Sequence, residues 1–134
     1  MWLFVVIAST LAVTPIIVAL VVLLRGSAWF PAGDMAQAEL HMRGFFSNPP
    51  LVGAAGRIVS DTGFQGSHPG PGLWVAMLPV YVLGGRSSHA LLAAAASVHI
   101  ASVILAVRLA FHRGGRLLAA LTALAALFVI RASG

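Results

Sequence analysis

Residues 2–24 read WLFVVIASTLAVTPIIVALVVLL, twenty-three residues without a charge. At 1.5 Å per helical residue this stretch crosses a hydrocarbon core of roughly 30 Å. A cleaved signal peptide would need a basic segment ahead of it, a shorter apolar core and a small-residue cleavage site. No Arg or Lys precedes the run, and the run is long, so it is expected to be a retained transmembrane helix. Pro15 lies inside it and removes one backbone donor, which predicts a kink.

The rest of the composition agrees with a lipid solvent. Of 134 residues, 60% are hydrophobic and 8% charged, with a mean hydropathy of +0.99. Soluble domains carry about 25% charged residues. A chain this short cannot bury so much apolar surface in its own interior. The net charge of +5 comes from eight Arg and no Lys. They sit singly or in pairs at the edges of apolar segments, which is membrane-boundary placement and gives no nucleic-acid signal. There is no Cys, and hence no disulfide framework and no thiolate metal site.

Outward from the first span, residues 26–72 form a long polar loop. It holds all three acids (Asp34, Glu39 and Asp61), two of the five His and five of the seven Pro. Loops of this length in compact proteins are usually functional. Asp34 to Arg43 reads as a short helix, with Asp34 as N-cap and Gln37 at the capping-box spacing. Its Met35, Leu40 and Met42 are expected to face the membrane surface or the helix bundle. Asn48-Pro49-Pro50 then breaks the chain. Residues 73–83 are apolar but too short to span, and read as an interfacial helix with Trp74 and Tyr81 at headgroup level. A second span covers 90–111, with His99 near its middle and small residues from Ala93 to Ser97 that favour close helix packing. A turn follows at 108–116. A third span, marginal in length, covers 117–131.

The expected fold is therefore an all-α membrane protein. It has about three transmembrane helices and one long extracytoplasmic loop carrying short juxtamembrane helices. The turn at 108–116 carries three Arg and no acid, which places it in the cytoplasm. The N-terminus is then cytoplasmic too, and loop 26–72 extracytoplasmic.

Two features of the loop can carry chemistry. The Asp34 carboxylate follows Trp29-Phe30-Pro31, an aromatic belt in pattern. At the membrane surface it could act as a general base toward a hydroxyl or hold a divalent cation, besides capping its helix. Gly66-Ser67-His68-Pro69-Gly70-Pro71-Gly72 fixes an irregular backbone around His68. That turn suits a hydrogen bond to a phosphate, or else a plain Pro/Gly linker. Arg57 can pair with Asp61 or bind an anionic headgroup. Glu39 is five residues from Asp34 and does not closely share its helix face. His41 and Arg43 read as solvated side chains, and His99 as a neutral, packed or hydrogen-bonded one.

Together, Gly33-Asp34-Met35-Ala36-Gln37, Pro50-Leu51-Val52-Gly53 and His68-Pro69-Gly70-Pro71, following one long span, resemble a known family. It is the N-terminal part of actinobacterial multi-span membrane glycosyltransferases of the C superfamily fold, over roughly residues 1–116. The motifs are moderately specific together and weak singly. The resemblance implies a polyprenyl-phosphate sugar donor, an extracytoplasmic acceptor hydroxyl, Asp34 as catalytic base or metal-contacting group, and His68 and Arg57 near the donor phosphate. It implies no cofactor, although a divalent metal is compatible with the acid. It also implies many more spans than the chain carries, so the expectation is a fragment of a larger fold or a small relative. The alternative is a non-enzymatic membrane subunit whose helices pack against a partner membrane protein.

Overall fold

A computed structural model describes residues 2–26, 29–49, 55–59, 65–67 and 71–132. Four helices carry most of the described chain. They are α1 (Trp2–Arg25), α2 (Asp34–Arg43), α3 (Gly72–Leu83) and α4 (Ser88–Ala132). A short antiparallel ribbon, β1 (Ala55–Val59) with β2 (Gln65–Ser67), lies in the long loop, a feature without a counterpart in the sequence reading. It pairs Ala55 with Ser67 and Val59 with Gln65, with a register shift between them. The chain divides into two compact units, Met1–Gly26 with Ala95–Gly134, and Ser27–Ala94.

In the first unit, α1 and α4 are long and apolar enough to cross a membrane. Only 28% of the most apolar stretch of each is buried within the protein, whereas the core helix of a soluble domain is mostly covered. Leu3, Val6, Ile7, Leu11 and Val18 of α1 are exposed, as are Leu105, Leu109, Leu121 and Leu124 of α4. Each such side chain left in water forgoes about 1.5–3 kcal/mol, so an apolar solvent suits these helices. Helix α1 runs unbroken across Pro15. The Thr14 hydroxyl donates to the Thr10 carbonyl at 2.7 Å.

Helix α4 is two helices joined at a break. Gly114 (φ −140°, ψ 18°) and Gly115 (φ 66°, ψ −155°) leave helical geometry. The second of these conformations is open essentially to glycine alone. The expected turn at 108–116 is thus narrower, because helix continues through Arg113. Val107 before the break and Ala119 and Ala123 after it are buried in one cluster with Val5, Ala8 and Ala12. A continuous helix would hold Val107 and Ala123 about 24 Å apart, while Val5 to Ala12 covers about 10 Å of α1. The second arm therefore folds back. Counted from the break, Val107 falls opposite the gap between Ala119 and Ala123. Two small-xxx-small pairs, Ala8/Ala12 and Ala119/Ala123, let the backbones approach. Phe4 and Phe111 close one side, with ring centroids 6.2 Å apart.

His99, expected as a neutral, packed or hydrogen-bonded side chain, is hydrogen-bonded but exposed. Its Nδ1 lies 3.0 Å from the Ala95 carbonyl oxygen one turn back.

Candidate functional site

The second unit buries Met42, Met77 and Leu91 and, among them, one carboxylate with a set of polar contacts. Glu39 is only 5% exposed. A buried carboxylate must be compensated, because desolvation strongly disfavours an isolated charge. Two neighbours supply the compensation. Arg43, one turn on, donates from Nε at 3.0 Å and Nη2 at 2.6 Å to the Glu39 Oε1. The Ser88 hydroxyl, in the first turn of α4, lies 2.9 Å from Oε2 and 3.0 Å from Oε1. It has one proton and so serves either oxygen in turn. The Glu39 hydrogen bond and charge raise the Arg43 pKa above its ordinary value. The Arg43 side chain is 59% exposed, so the pair is a wet cation on a dry anion.

This tie fixes α2 to the start of α4. The approach between them is shaped by the turn after α3. Gly84 has no room for a side chain, since a Cβ there would meet the Ala90 Cβ at 2.6 Å. Arg86 adopts a left-handed backbone (φ 57°). Its N–H donates to the Tyr81 carbonyl at 3.0 Å, and its own carbonyl accepts from the Tyr81 hydroxyl at 3.1 Å. Tyr81 is fully buried, and burial pushes its hydroxyl pKa up, with the Glu39 charge adding to the effect. The Arg86 guanidinium lies 5.4 Å from the Phe46 ring centroid, a cation–π distance. Ser87 caps α4, its Oγ accepting from the Ala90 N–H at 3.1 Å.

Asp34 stands at the other end of α2. Gly33, with φ 56°, is the N-cap, and no side chain bonds to the cap, so the Asp34–Gln37 capping box does not form. Asp34 is instead an exposed residue in the first helical turn, where its charge complements the helix dipole. Of the side chains expected to face the membrane or the bundle, Met42 is buried and Leu40 exposed. His41 is not simply solvated, because its ring lies 5.7 Å from that of Trp74 on α3. Arg57 lies in β1. His68 and Asp61 lie outside the described residues, as does the whole Pro50–Gly53 motif. Among the described residues, no three metal-ligand side chains converge.

The sequence reading named Asp34, placed Tyr81 at headgroup level where the structure buries it, and missed Ser88, which holds α2. Ser88 has no local signal, since it meets Glu39 across a separation of 49 residues. What the arrangement offers chemically is one accessible carboxylate on a helix anchored by a second, buried one. Comparison of the chain with family models, with curated proteins and with solved structures gives no match.

Proposed function

We propose that the chain is a membrane glycosyltransferase-like protein that moves a sugar from a polyprenyl-phosphate donor to an acceptor hydroxyl outside the cytoplasm. The observation that carries this reading is the division of labour on α2. Glu39 is buried and bound to Arg43 and Ser88, while Asp34 is exposed at the helix start. A base must reach its proton and must be held in position to do so. In this reading Asp34 takes the proton from the acceptor hydroxyl as that oxygen attacks the anomeric carbon. The bond from that carbon to the phosphate oxygen breaks, with inversion, and polyprenyl phosphate leaves. Arg57 and His68 offset the charge of the departing phosphate. The Gly114–Gly115 break separates a second span from a third, with the Arg-rich segment around it in the cytoplasm and Asp34 on the opposite side.

The test is sugar transfer from labelled polyprenyl-phosphate donor in membranes carrying the chain in its native reading frame. Asp34→Asn should lower transfer about 10²–10⁴-fold, the usual worth of a positioned base. Insertion should be unchanged, checked by a reporter fused after Arg113. Transfer in the variant within threefold of wild type would overturn the reading.

A second reading, a non-enzymatic subunit, is favoured by Ala101 and Ser102, small residues exposed on the apolar α4 where a partner helix could approach closely. Crosslinking from position 101 in native membranes that yields only monomer would remove it.

A further inference from the structure

The first unit contains a cleft that glycosyl transfer does not use. It is about 230 Å³ and is lined by Trp2, Val6, Ser9 and Val13 of α1 and by Ile104 and Arg108 of α4, among others. A smaller hollow shares Trp2 and Arg108 and adds Phe111 and His112. Most of the lining is apolar, yet two groups in it ask for a polar ligand. Ser9 is only 7% exposed, and its hydroxyl has no hydrogen-bond partner. A buried hydroxyl without a partner is costly and points to a group that fills the site. Arg108 lies with its guanidinium 5.3 Å from the Trp2 ring centroid. Residues 1–26 and 95–134 contain no Asp or Glu at all, so no side-chain carboxylate of this unit can pair with Arg108. Arg113 and Arg116 add to the positive charge of the same segment.

We propose that this cleft binds one anionic glycerophospholipid. The phosphate sits on Arg108, with His112 beside it, and one acyl chain runs along Val6, Val13 and Ile104. The Ser9 hydroxyl donates to an ester carbonyl. Stacking on Trp2 leaves the in-plane N–H edge of the guanidinium for the phosphate. Trp2 and Arg108 are the residue types that settle at the membrane interface. Ser9 lies about 10 Å further along the helix axis, a depth suited to the junction of headgroup and acyl chains. The ester carbonyl separates this ligand from a polyprenyl phosphate, which has a phosphate and an apolar chain but no carbonyl to accept from Ser9.

The test uses the full chain in neutral detergent, with lipid binding read by native mass spectrometry. The probes are phosphatidylglycerol, phosphatidylcholine, ether-linked phosphatidylglycerol and polyprenyl phosphate. Wild type should hold one phosphatidylglycerol at least tenfold more tightly than phosphatidylcholine. Arg108→Gln should abolish that preference, while Arg113→Gln, outside the cleft lining, should keep it within twofold. Ser9→Ala should weaken phosphatidylglycerol binding about threefold to fivefold and leave the ether lipid unaffected. Should Arg108→Gln fail to fold, as judged by ellipticity and monodispersity, Arg108→Lys takes its place. Lys keeps the charge but not the planar fork, and a several-fold loss is expected. Equal effects of the Arg108 and Arg113 variants would overturn the proposal, showing diffuse charge attraction. So would polyprenyl phosphate binding as tightly as phosphatidylglycerol and losing that binding in Arg108→Gln, which would put it in the cleft rather than at a donor site near Arg57, or no effect of Ser9→Ala.

Discussion

In the unit formed by Met1–Gly26 and Ala95–Gly134, the buried apolar positions are filled by Ala and Val at helical spacing. In Ser27–Ala94 the buried set includes a carboxylate, and a phenol closes the turn beside it. The first unit is specified by the absence of side chain, which lets backbones approach. The second is specified by donors meeting acceptors at defined atoms. The two strategies fail differently. Small-residue packing tolerates loss of a methyl and resists any addition. A hydrogen-bonded carboxylate tolerates little change of either kind, because its partners are left without a mate.

Four substitutions probe this contrast, taken from the largest expected effect. Gly115→Val forces a branched side chain into the φ 66°, ψ −155° position of the α4 break. It should cost about 3 kcal/mol, read as an early transition in denaturant titration followed by ellipticity. A loss below about 0.5 kcal/mol would mean that the fold-back does not depend on this residue. Glu39→Ala strips Arg43 and Ser88 of their shared acceptor and should cost about 2 kcal/mol, confined to the second unit. Hydrogen exchange should then show faster amides in α2 and at the start of α4, with Val107 and Ala119 unchanged. Equal loosening of both units would erase the distinction between them.

Tyr81→Phe removes one hydrogen bond to the Arg86 carbonyl and should cost about 1 kcal/mol. It also tests a pH dependence. The Tyr81 pKa is raised in the folded chain, so the unfolded chain loses that proton first as pH rises. The contribution is therefore complete below the unfolded value near 10 and is lost as pH climbs through the folded value. Wild type should lose stability above pH 10, and Tyr81→Phe should lose less over the same range. Parallel curves would show that the phenol is not the titrating group. The smallest effect belongs to Asp34→Asn, with about 0.5 kcal/mol expected for the loss of its charge at the helix start. A much larger loss of stability would assign Asp34 a structural role and weaken the case for it as a base.

The same contrast explains what could be read from the sequence. Helix α1 followed from a run without charge, and α2, Asp34 to Arg43, from Asp34 read as a cap with Gln37 at the capping-box spacing. Helix α3 came from an apolar stretch closed by Gly84-Gly85. These are local signals. The break in α4 was placed too broadly, because the three Arg of 108–116 suggested loop while the backbone needed only two glycines to leave the helix. The N-cap was misplaced by one residue, since Gly33 takes a left-handed φ that the Asp side chain pattern does not reveal. The burial of Glu39 was not legible at all. Its acceptor oxygens are satisfied in part by Ser88, and nothing near either residue marks the pairing.

The Gly114–Gly115 break also carries a consequence in time. Val107 meets Ala119 across a separation of only about a dozen residues, whereas Val5 meets the same cluster from about a hundred residues away. Contacts close in sequence form with little loss of chain entropy, and distant ones must wait for it. The helical hairpin therefore forms as soon as both arms exist, while α1, made before either arm, finds its place after them. Its Ala8 and Ala12 face is a surface held in reserve until Ala119 and Ala123 arrive to supply the groove that receives it.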